Sequence, residues 1–307
     1  MPYSYTPVTS SYYNKDTFTG ATSYGSGKTT AEMVIQGTYT GWDFSSITNN
    51  WKPMSGTLTG YYPCLAWQNE STCTKAPGTI TNCIELQNIG TSIGTLAGKY
   101  HLANNIDCSA TSLSGDPLNH GGLGFKPIGN FWTTPFNGTI DGAGYKITGL
   151  YIHRPSENYV GLFGSANGAT IENIGVDGAN IKGAQMVGGL VGNNLSSSIT
   201  NCYTTNDTID GYNIIGGLVG SNKDSPITNS YTNTNTIGGG GSAFGGFVGW
   251  NDTSPISNSY SINNTINAGS SAGGLVSGNY GLSPISNSYA TNNTMNGSAS
   301  FRGGLIG

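Results

Sequence analysis

The sequence predicts an all-β protein whose main part is a parallel β-helix, and three observations lead to this fold class. The pattern Gly-Gly-Leu-Val-Gly recurs in the last third of the chain about every 28 residues, a period typical of solenoid repeats. An Ile-Thr/Ser-Asn-Ser-Tyr block and a Thr-Ile pair recur with the same period. Each repeat thus holds three short apolar runs between Gly, Asn, Ser and Pro, which are too short for helices. One repeat is expected to form one turn with three faces.

Residues at equivalent positions of the repeats should stack inside the β-helix at the spacing of neighbouring strands, about 4.8 Å. The predicted core stack on two faces consists of Leu190, Leu218, Phe247, Leu275, Leu305, Ile199, Ile227, Ile256 and Ile285. A third stack consists of Ile181, Ile209, Ile237, Ile266 and Met295. Because no repeat can bury its apolar side alone, the stack should supply the stability.

Asparagine recurs in two further columns, which should form hydrogen-bonded amide ladders. The first column consists of Asn173, Asn201, Asn229, Asn258 and Asn287. The second column consists of Asn194, Asn222, Asn251 and Asn279. The recurring glycines fit either a positive φ at the corners or a close approach between backbone segments.

These residues also carry a resemblance to a known family. Gly216-Gly-Leu-Val-Gly220, Ile227-Thr-Asn-Ser-Tyr231 and Thr236-Ile237 resemble the GLUG-motif repeats of bacterial surface proteins, including filamentous-haemagglutinin-like adhesins. The resemblance covers roughly residues 120–307, and Val160 and Ser277 depart from it at Gly positions. It implies a non-catalytic, extracellular β-helix at the surface of a bacterial or archaeal cell, or secreted from it.

Four segments are predicted along the chain. Residues 1–27 form a partial β-helix turn, and residues 28–95 form an aromatic, Cys-containing insert with short helices. One helix is expected to start at a capping box formed by Thr29-Thr-Ala-Glu32, and one lies within 80–95. Residues 96–160 lead into the array, with a strand at 99–108, and residues 161–307 form the GLUG-type repeats.

Composition limits the partners and the location. Only 8% of the residues are charged and the net charge is −4, so without a basic cluster we expect no nucleic-acid partner. No apolar run approaches the roughly 20 residues of a membrane span. The first residues lack the charged and apolar regions of a signal peptide, so none is expected in this sequence.

The five cysteines are compatible with an oxidising compartment. The expected pairs are Cys64 with Cys73 and Cys83 with Cys108, which leaves Cys202 single at a position where other repeats have Ser. The alternative is that all five are free thiols.

The candidate catalytic and metal-binding groups favour no site, and no cofactor is expected. Gly25-Ser-Gly-Lys28 is similar to part of a phosphate-binding loop, but Thr22 replaces its first Gly and the flanking strand and helix are missing. We interpret it as a Gly-rich turn. The three His residues lack metal-ligand spacing. Glycoside hydrolysis needs two carboxylates on one groove, and we expect no two acids to align in one strand column.

Two alternative functions remain open. One is a carbohydrate-active β-helix enzyme, because parallel β-helices also carry such enzymes. The other is ice binding, suggested by an outward threonine column with irregular neighbours. That column consists of Thr208, Thr236, Thr265 and Thr294.

Eight Asn-X-Ser/Thr sequons are candidate glycosylation sites, although chance alone produces many in so Asn-rich and Thr-rich a chain. They are Asn69, Asn137, Asn194, Asn206, Asn251, Asn263, Asn292 and Asn296.

The two ends of the sequence are complementary. Gly303-Gly-Leu-Ile-Gly307, with Leu305 and Ile306, is the start of a turn that Val8 to Tyr12 would continue. Two partners are therefore expected: a second copy joined head-to-tail into a filament, or the continuation of a longer array. A surface carbohydrate or another host ligand is a further candidate partner.

Overall fold

The computed structural model describes residues 12–14, 26–28, 78–129 and 133–307. The chain divides into one unit of Met1–Thr81 with Tyr100–Asn104 and another of Asn82–Lys99 with Asn105–Gly307. In the first unit, strand Tyr12–Asn14 pairs in parallel with Ser26–Lys28. The Gly-rich turn predicted there was therefore wrong for Ser26–Lys28, which is extended. The capping box predicted at 29–32, with the helix that it would start, lies outside the described residues.

The first unit contains a second parallel strand pair. Thr79–Ile80 pairs with His101 and Leu102 of the strand Lys99–Leu102. The buried Thr79 hydroxyl lies 2.8 Å from Nε2 of His101, which joins the two strands through their side chains as well.

The second unit is a parallel β-helix, which confirms the predicted fold class. The prediction of three faces was wrong, because each full turn contains five short strands, and five parallel sheets run along the unit. One extra corner arises where the Gly-Gly-Leu-Val-Gly run turns between two strands, as between Gln185–Gly188 and Val191–Leu195. The other divides the Ile-Thr/Ser-Asn-Ser-Tyr block, as between Ser198–Thr200 and Tyr203–Thr205. We name the sheets faces A to E in chain order within one turn.

The strands of face A are Phe163–Asn167, Val191–Leu195, Val219–Lys223, Val248–Asp252 and Val276–Tyr280. Those of face B in this unit are Thr139–Asp141, Thr170–Glu172, Ser198–Thr200, Ile227–Thr228, Ile256–Ser257 and Ile285–Ser286. Those of face C are Ile106–Asp107, Lys146–Thr148, Gly175–Asp177, Tyr203–Thr205, Tyr231–Asn233, Tyr260–Ile262 and Tyr289–Thr291.

The strands of face D are Tyr151–His153, Asn180–Lys182, Thr208–Gly211, Thr236–Gly239, Thr265–Asn267 and Thr294–Asn296. Those of face E are Gln185–Gly188, Asn213–Gly216, Ala243–Gly245, Ser271–Gly273 and Phe301–Gly303.

The predicted core columns lie inside the β-helix and in register. Ile199 pairs with Ile227, and Ile209 pairs with Ile237. Leu190, Leu218, Phe247, Leu275 and the isoleucines at 199, 227 and 256 are buried. Leu305, in the last described turn, is 38% exposed. In the three-residue strands of faces B, C and D, such as Ser198–Thr200 and Tyr203–Thr205, the middle residue points inward because side chains alternate between the two sides of a strand.

Asparagine and glycine meet two different backbone requirements, a positive φ at corners and a close approach between backbone segments. A positive φ between faces B and C is adopted by asparagines, for example Asn201 at 54° and Asn229 at 50°, because Asn tolerates the left-handed region better than most residues. The glycines of the repeated pentapeptide meet the other requirement. A Cβ on Gly216 would overlap the carbonyl oxygen of Val219, and a Cβ on Gly217 would overlap that of Gly246.

Helical structure is confined to the start of this unit among the described residues. The single helix predicted over 80–95 is two helices, Cys83–Asn88 and Ile93–Leu96, separated by a turn. Asn82 caps the first helix by accepting a hydrogen bond from the Glu85 amide at 3.0 Å. The strand predicted over 99–108 is likewise split into two, Lys99–Leu102 and Ile106–Asp107. Two 3₁₀ segments follow, at Ser109–Ser112 and Pro117–Gly122.

Candidate functional site

A buried amide column runs through face A. The Nδ2 of Asn194 donates to Oδ1 of Asn222 at 2.8 Å, Asn222 donates to Asn251 at 2.9 Å, and Asn251 donates to Asn279 at 2.8 Å. Each amide also donates to a backbone carbonyl at the next corner, as Asn222 does to Ser225 at 2.9 Å. Below Asn194 the column ends at an alanine, and Oδ1 of Asn194 has no hydrogen-bond partner.

Two serine columns bind backbone groups at two corners. The Ser197 amide donates to Oγ of Ser225 at 3.0 Å, and the Cys202 amide donates to Oγ of Ser230 at 3.0 Å. Each hydroxyl in turn donates to the carbonyl two residues earlier, as Ser230 does to Thr228 at 2.8 Å. The corners interrupt the strand ladders, and a buried backbone N–H without a partner is costly. The serine hydroxyls supply acceptors for these N–H groups, and the amide column of face A supplies donors for corner carbonyls.

A ladder of four tyrosines stands on the outer surface of face C. Tyr203, Tyr231, Tyr260 and Tyr289 stack with centroids 5.0, 4.9 and 5.2 Å apart and interplanar angles of 6°, 7° and 9°. The rings are partly exposed. Because the flat sides of stacked rings cover one another, solvent reaches mainly the ring edges and the hydroxyl groups. Burial raises the pKa of the Tyr203, Tyr231 and Tyr260 phenols. The ladder was not predicted as a surface feature, although one Tyr recurs in each repeat of the sequence.

The threonine column that suggested ice binding is in register on the outer surface of face D. The neighbouring outward column contains Lys182, Asp210, Gly238 and Asn267. This second column mixes charge, glycine and amide. A flat array of two matching columns is therefore absent from face D.

Acidic side chains pair with lysines between turns. Lys146 contacts Asp177 at 2.7 Å and Lys182 contacts Asp210 at 2.6 Å. The expectation that no two acids align in one column was wrong, because Glu172 lies beside Asp141 on adjacent strands of face B. The lead-in strand that carries Asp141 already belongs to a turn of the β-helix, and the sequence pattern did not predict this.

The two aligned acids differ in their surroundings. Burial, and secondarily the charge of Asp141, raise the pKa of Glu172. Oδ1 of Asp141 accepts hydrogen bonds from the Ala143 amide at 2.8 Å and from Nδ2 of Asn173 at 3.0 Å. Asp141 therefore holds the turn that follows its strand.

Asp207 is the one carboxylate among the described residues that lies fully inside the β-helix, with 1% of its surface exposed. Its Oδ1 accepts a hydrogen bond from the Ala179 amide at 2.7 Å, whereas Oδ2 has no partner. Burial raises the pKa of this carboxyl well above its ordinary value.

The cysteines in the described part are in two chemical states. Cys83 and Cys108 form a disulfide that links the first helix to the end of Ile106–Asp107. Cys202 is a free, buried thiol in the serine column, and burial raises its pKa to about 12. Cys64 and Cys73 lie outside the described residues.

The structure separates the candidate sequons by exposure. Asn194 and Asn251 are completely buried in the amide column. The exposed acceptors are Asn137, Asn206, Asn263, Asn292 and Asn296. Asn69 lies outside the described residues.

The remaining candidates give no grouped site. Of the assembly ends, Ile306 is 43% exposed, Tyr12 lies in a strand whose side chains are not described, and Val8 is outside the described residues. Within residues 78–129 and 133–307, no three His, Cys, Asp or Glu side chains cluster as metal ligands would.

A polar cavity of about 210 Å³ lies between Lys126 and Glu157. The helices described here are all too short or too polar to cross a membrane.

Comparison with known proteins confirms the resemblance to GLUG repeats. The GLUG motif family matches residues 183–210, which run from the end of face D in one turn to face D in the next. The chain is 40% identical to halomucin of Haloquadratum walsbyi over 117 residues, which is 38% of this chain and 1% of that protein. It is 38% identical over 88 residues to an Evansella cellulosilytica protein described as a Gly-rich membrane protein, covering 29% of this chain and 9% of the relative.

The chain therefore spans only a small part of these relatives. Among solved structures, it is similar to a Bacteroides ovatus protein described as an immunoglobulin A1 protease, with a TM-score of 0.48 and 16% identity. That similarity covers 75% of this chain and 83% of the other. The GLUG match and the stacked turns fit a surface or structural repeat protein.

Proposed function

We propose that this chain is a non-catalytic, extracellular structural segment of a cell-surface adhesin or of a surface filament. The observation that carries the proposal is the regularity of the interior. Successive turns repeat the same apolar stack, the same amide column and the same serine columns. Such repetition stabilises a rigid rod, because each turn contacts only its neighbours. The halomucin relative and the relative described as a membrane protein support a surface location.

The outer columns supply the contact surface in this proposal. The edges and hydroxyls of the tyrosine ladder, with the threonine column on face D, form a weakly charged strip that repeats with every turn. A neutral surface carbohydrate is the ligand class that suits such a strip, since each turn offers hydroxyl groups for hydrogen bonds. The exposed sequons Asn206 and Asn263 lie between the tyrosine and threonine columns, so this contact requires that they carry no glycan.

Extension of the rod is the second part of the proposal. Leu305 and Ile306 are 38% and 43% exposed, and a further turn stacked on them would bury both. We propose that this turn comes from a second copy or from a longer array. Sedimentation over a wide concentration range and imaging of the purified chain test the second copy. A monomer at every concentration, unaffected by removal of residues 1–12, would exclude head-to-tail assembly.

A carbohydrate-active enzyme is the second candidate, and one observation favours it. Asp141 and Glu172 lie on adjacent strands of face B, and neighbouring strands are about 4.8 Å apart, close to the spacing of the two acids in retaining glycosidases. Both hydrogen bonds to Asp141, from Ala143 and Asn173, reach Oδ1, so they fix the carboxylate in the turn without occupying Oδ2.

One assay separates the two candidates. Reducing ends released from a panel of polysaccharides are measured with the purified chain and with Glu172→Gln. The structural proposal expects no turnover by either protein. Turnover that Glu172→Gln abolishes would overturn it and support the enzyme. Retention of the chain on an insoluble polysaccharide, lost in Tyr231→Ala and weakened in Tyr231→Phe, which lacks the hydroxyl, would support the contact strip.

A further inference from the structure

One interior column of the β-helix changes chemistry at Asp207. The column lies at the corner between faces C and D, where Asn180 is in register with Thr208. Its members, from one turn to the next, are Ala179, Asp207, Asn235, Asn264 and Asn293. Asp207 is therefore the first polar side chain of the column, directly after an alanine.

In each polar member of the column, the side-chain Oδ1 accepts a hydrogen bond from the backbone amide of the column residue one turn below. Oδ1 of Asp207 accepts the Ala179 amide at 2.7 Å, and Oδ1 of Asn235 accepts the Asp207 amide at 2.9 Å. Oδ1 of Asn264 does the same for the Asn235 amide at 2.8 Å. This oxygen replaces the strand ladder at the corner in each turn.

The second side-chain atom distinguishes Asp207 from the asparagines. Nδ2 of Asn235 donates to Oγ1 of Thr204 at 2.9 Å, in the turn below. Asp207 lies one turn below Asn235, so the position below it that corresponds to Thr204 is Val176, which has no hydroxyl. Thr204 itself donates to the Gly217 carbonyl at 3.0 Å. Oδ2 of Asp207 therefore occupies a donor's position, is buried, and has no partner.

The charged surroundings do not compensate an ionised Asp207. Asp177, on the strand below, is the charged group that faces it, and its charge opposes a second negative charge nearby. Lys146 is already paired with Asp177, and Lys182, further along face D, is paired with Asp210. Toward Asp207 the turn above contributes the neutral amide of Asn235. A buried carboxylate without a counter-charge is strongly disfavoured.

We propose that Asp207 is a pH-sensitive element of the array: a carboxylic acid that is held protonated inside the folded β-helix and whose ionisation weakens the turn that it closes. The protonated form is neutral, as the asparagine amides of the column are, whereas the ionised form places an uncompensated charge in the interior. Burial, together with the charge of Asp177, raises the pKa of Asp207 in the folded chain. A raised folded pKa means that the folded chain holds this proton more tightly than the unfolded chain does. The contribution to stability is thus complete below the ordinary pKa of 3.8 and is lost as the pH rises through the folded value.

The test compares Asp207→Asn with the natural chain by thermal unfolding, from acidic to neutral pH. The variant extends the asparagine column by one turn and should fold. We expect its Tm to exceed that of the natural chain at neutral pH by a few degrees, and the difference to disappear below pH 3.8. A difference of the same size at every pH, or a lower Tm of the variant at neutral pH, would overturn the proposal.

Two further measurements keep the result specific. Asp210→Asn makes the same chemical change on the same strand, on a side chain that is 39% exposed, and controls for net charge. It should not reproduce the pH-dependent gain. Carboxyl-carbon NMR of the natural chain, with the Asp207 signal assigned by its loss in Asp207→Asn, follows the proton directly. Titration at or below the ordinary pKa of aspartate would contradict the proposal whatever the Tm values show.

Discussion

The interior and the exterior of the β-helix both carry side-chain columns with the same period, but the two kinds of column differ in what they do for the backbone. Inside, Asn222 and Ser225 bind main-chain groups that the corners leave without ladder partners. Outside, Tyr231 stacks on the neighbouring tyrosine rings, and Lys182 contacts a carboxylate that water could solvate equally well. Periodicity alone therefore does not reveal the energetic value of a column. What matters is whether water can replace its contacts.

One outward column is kept less strictly than the buried amide column, although the outward tyrosine and threonine columns are as regular as it is. The buried amide column is Asn in four consecutive turns. The outward column beside the tyrosines holds Thr205, Asn233, Ile262 and Thr291. An exposed position accepts a hydroxyl, an amide or an alkyl group because solvent satisfies whatever the neighbour does not.

The largest expected effect is a charge in the apolar stack. Leu218→Asp places a carboxylate where the side chain is completely buried, which costs about 4 kcal/mol or more and should disrupt several turns. The matched control is Thr236→Asp, the same charge on an exposed position of face D, which should change stability by about 0.5 kcal/mol at most. Circular dichroism melting measures both. An unchanged melting transition in Leu218→Asp would mean that this residue points outward.

A smaller but still large effect is expected from the buried amide column. Asn222→Ala removes the donor to Asn251 and the donor to the Ser225 carbonyl. It also removes one acceptor of Nδ2 of Asn194, which keeps its bond to the Ser197 carbonyl. Two buried groups without partners cost about 3 kcal/mol together.

The control for this column removes an amide from the outside. Asn201→Gly deletes an exposed side chain that donates to Asn173 at 2.9 Å, and glycine keeps the positive φ of 54°. We expect a loss of about 0.5 kcal/mol. Urea unfolding compares the two variants, and equal losses would contradict the distinction between inner and outer columns.

An intermediate effect is expected from the tyrosine ladder. Tyr231→Ala removes the contacts to Tyr203 and Tyr260, each worth about 0.5–1.5 kcal/mol beyond burial, and partial exposure reduces the total to about 1 kcal/mol. Tyr231→Phe keeps the ring and should be close to neutral. Near-ultraviolet circular dichroism should show the loss of ring coupling only in the alanine variant. A similar loss of stability in both variants would mean that the hydroxyl, and not the stacking, stabilises the ladder.

Much of this architecture could be predicted from the sequence, because a strict repeat fixes which residues stack. The inward positions of Ile199 and Leu218 followed from the period and from the need to bury apolar faces. The number of strands in each turn did not follow. The division of the Gly-rich run into two strands depends on close backbone contacts at Gly216 and Gly217, which a residue pattern does not specify.

The polar features were predicted less completely. The Asn194 column was expected as a ladder, but its burial was not, and two of its members were considered glycosylation candidates for that reason. Asp207 gave no signal, because in sequence an aspartate at a turn is far more often solvated than buried. Its environment became apparent only when the register placed Val176 beneath the position that Thr204 occupies in the next turn.

The smallest expected effect comes from an outer ion pair, and it sets the lower limit of the comparison. Lys182 contacts Asp210 at 2.6 Å, but the two side chains are 41% and 39% exposed, so solvent screening leaves about 0.5 kcal/mol or less. The hydrogen bond to Asp210 and its charge raise the pKa of Lys182, so the contribution is present below the ordinary value of 10.5 and lost as the pH rises through the folded pKa. Lys182→Ala should therefore lower the Tm slightly at neutral pH and low salt, and the difference should vanish at high salt. Lys182→Arg, which keeps the charge, should behave like the natural chain. A salt-independent loss in Lys182→Ala would instead assign the effect to packing of the lysine stem on face D.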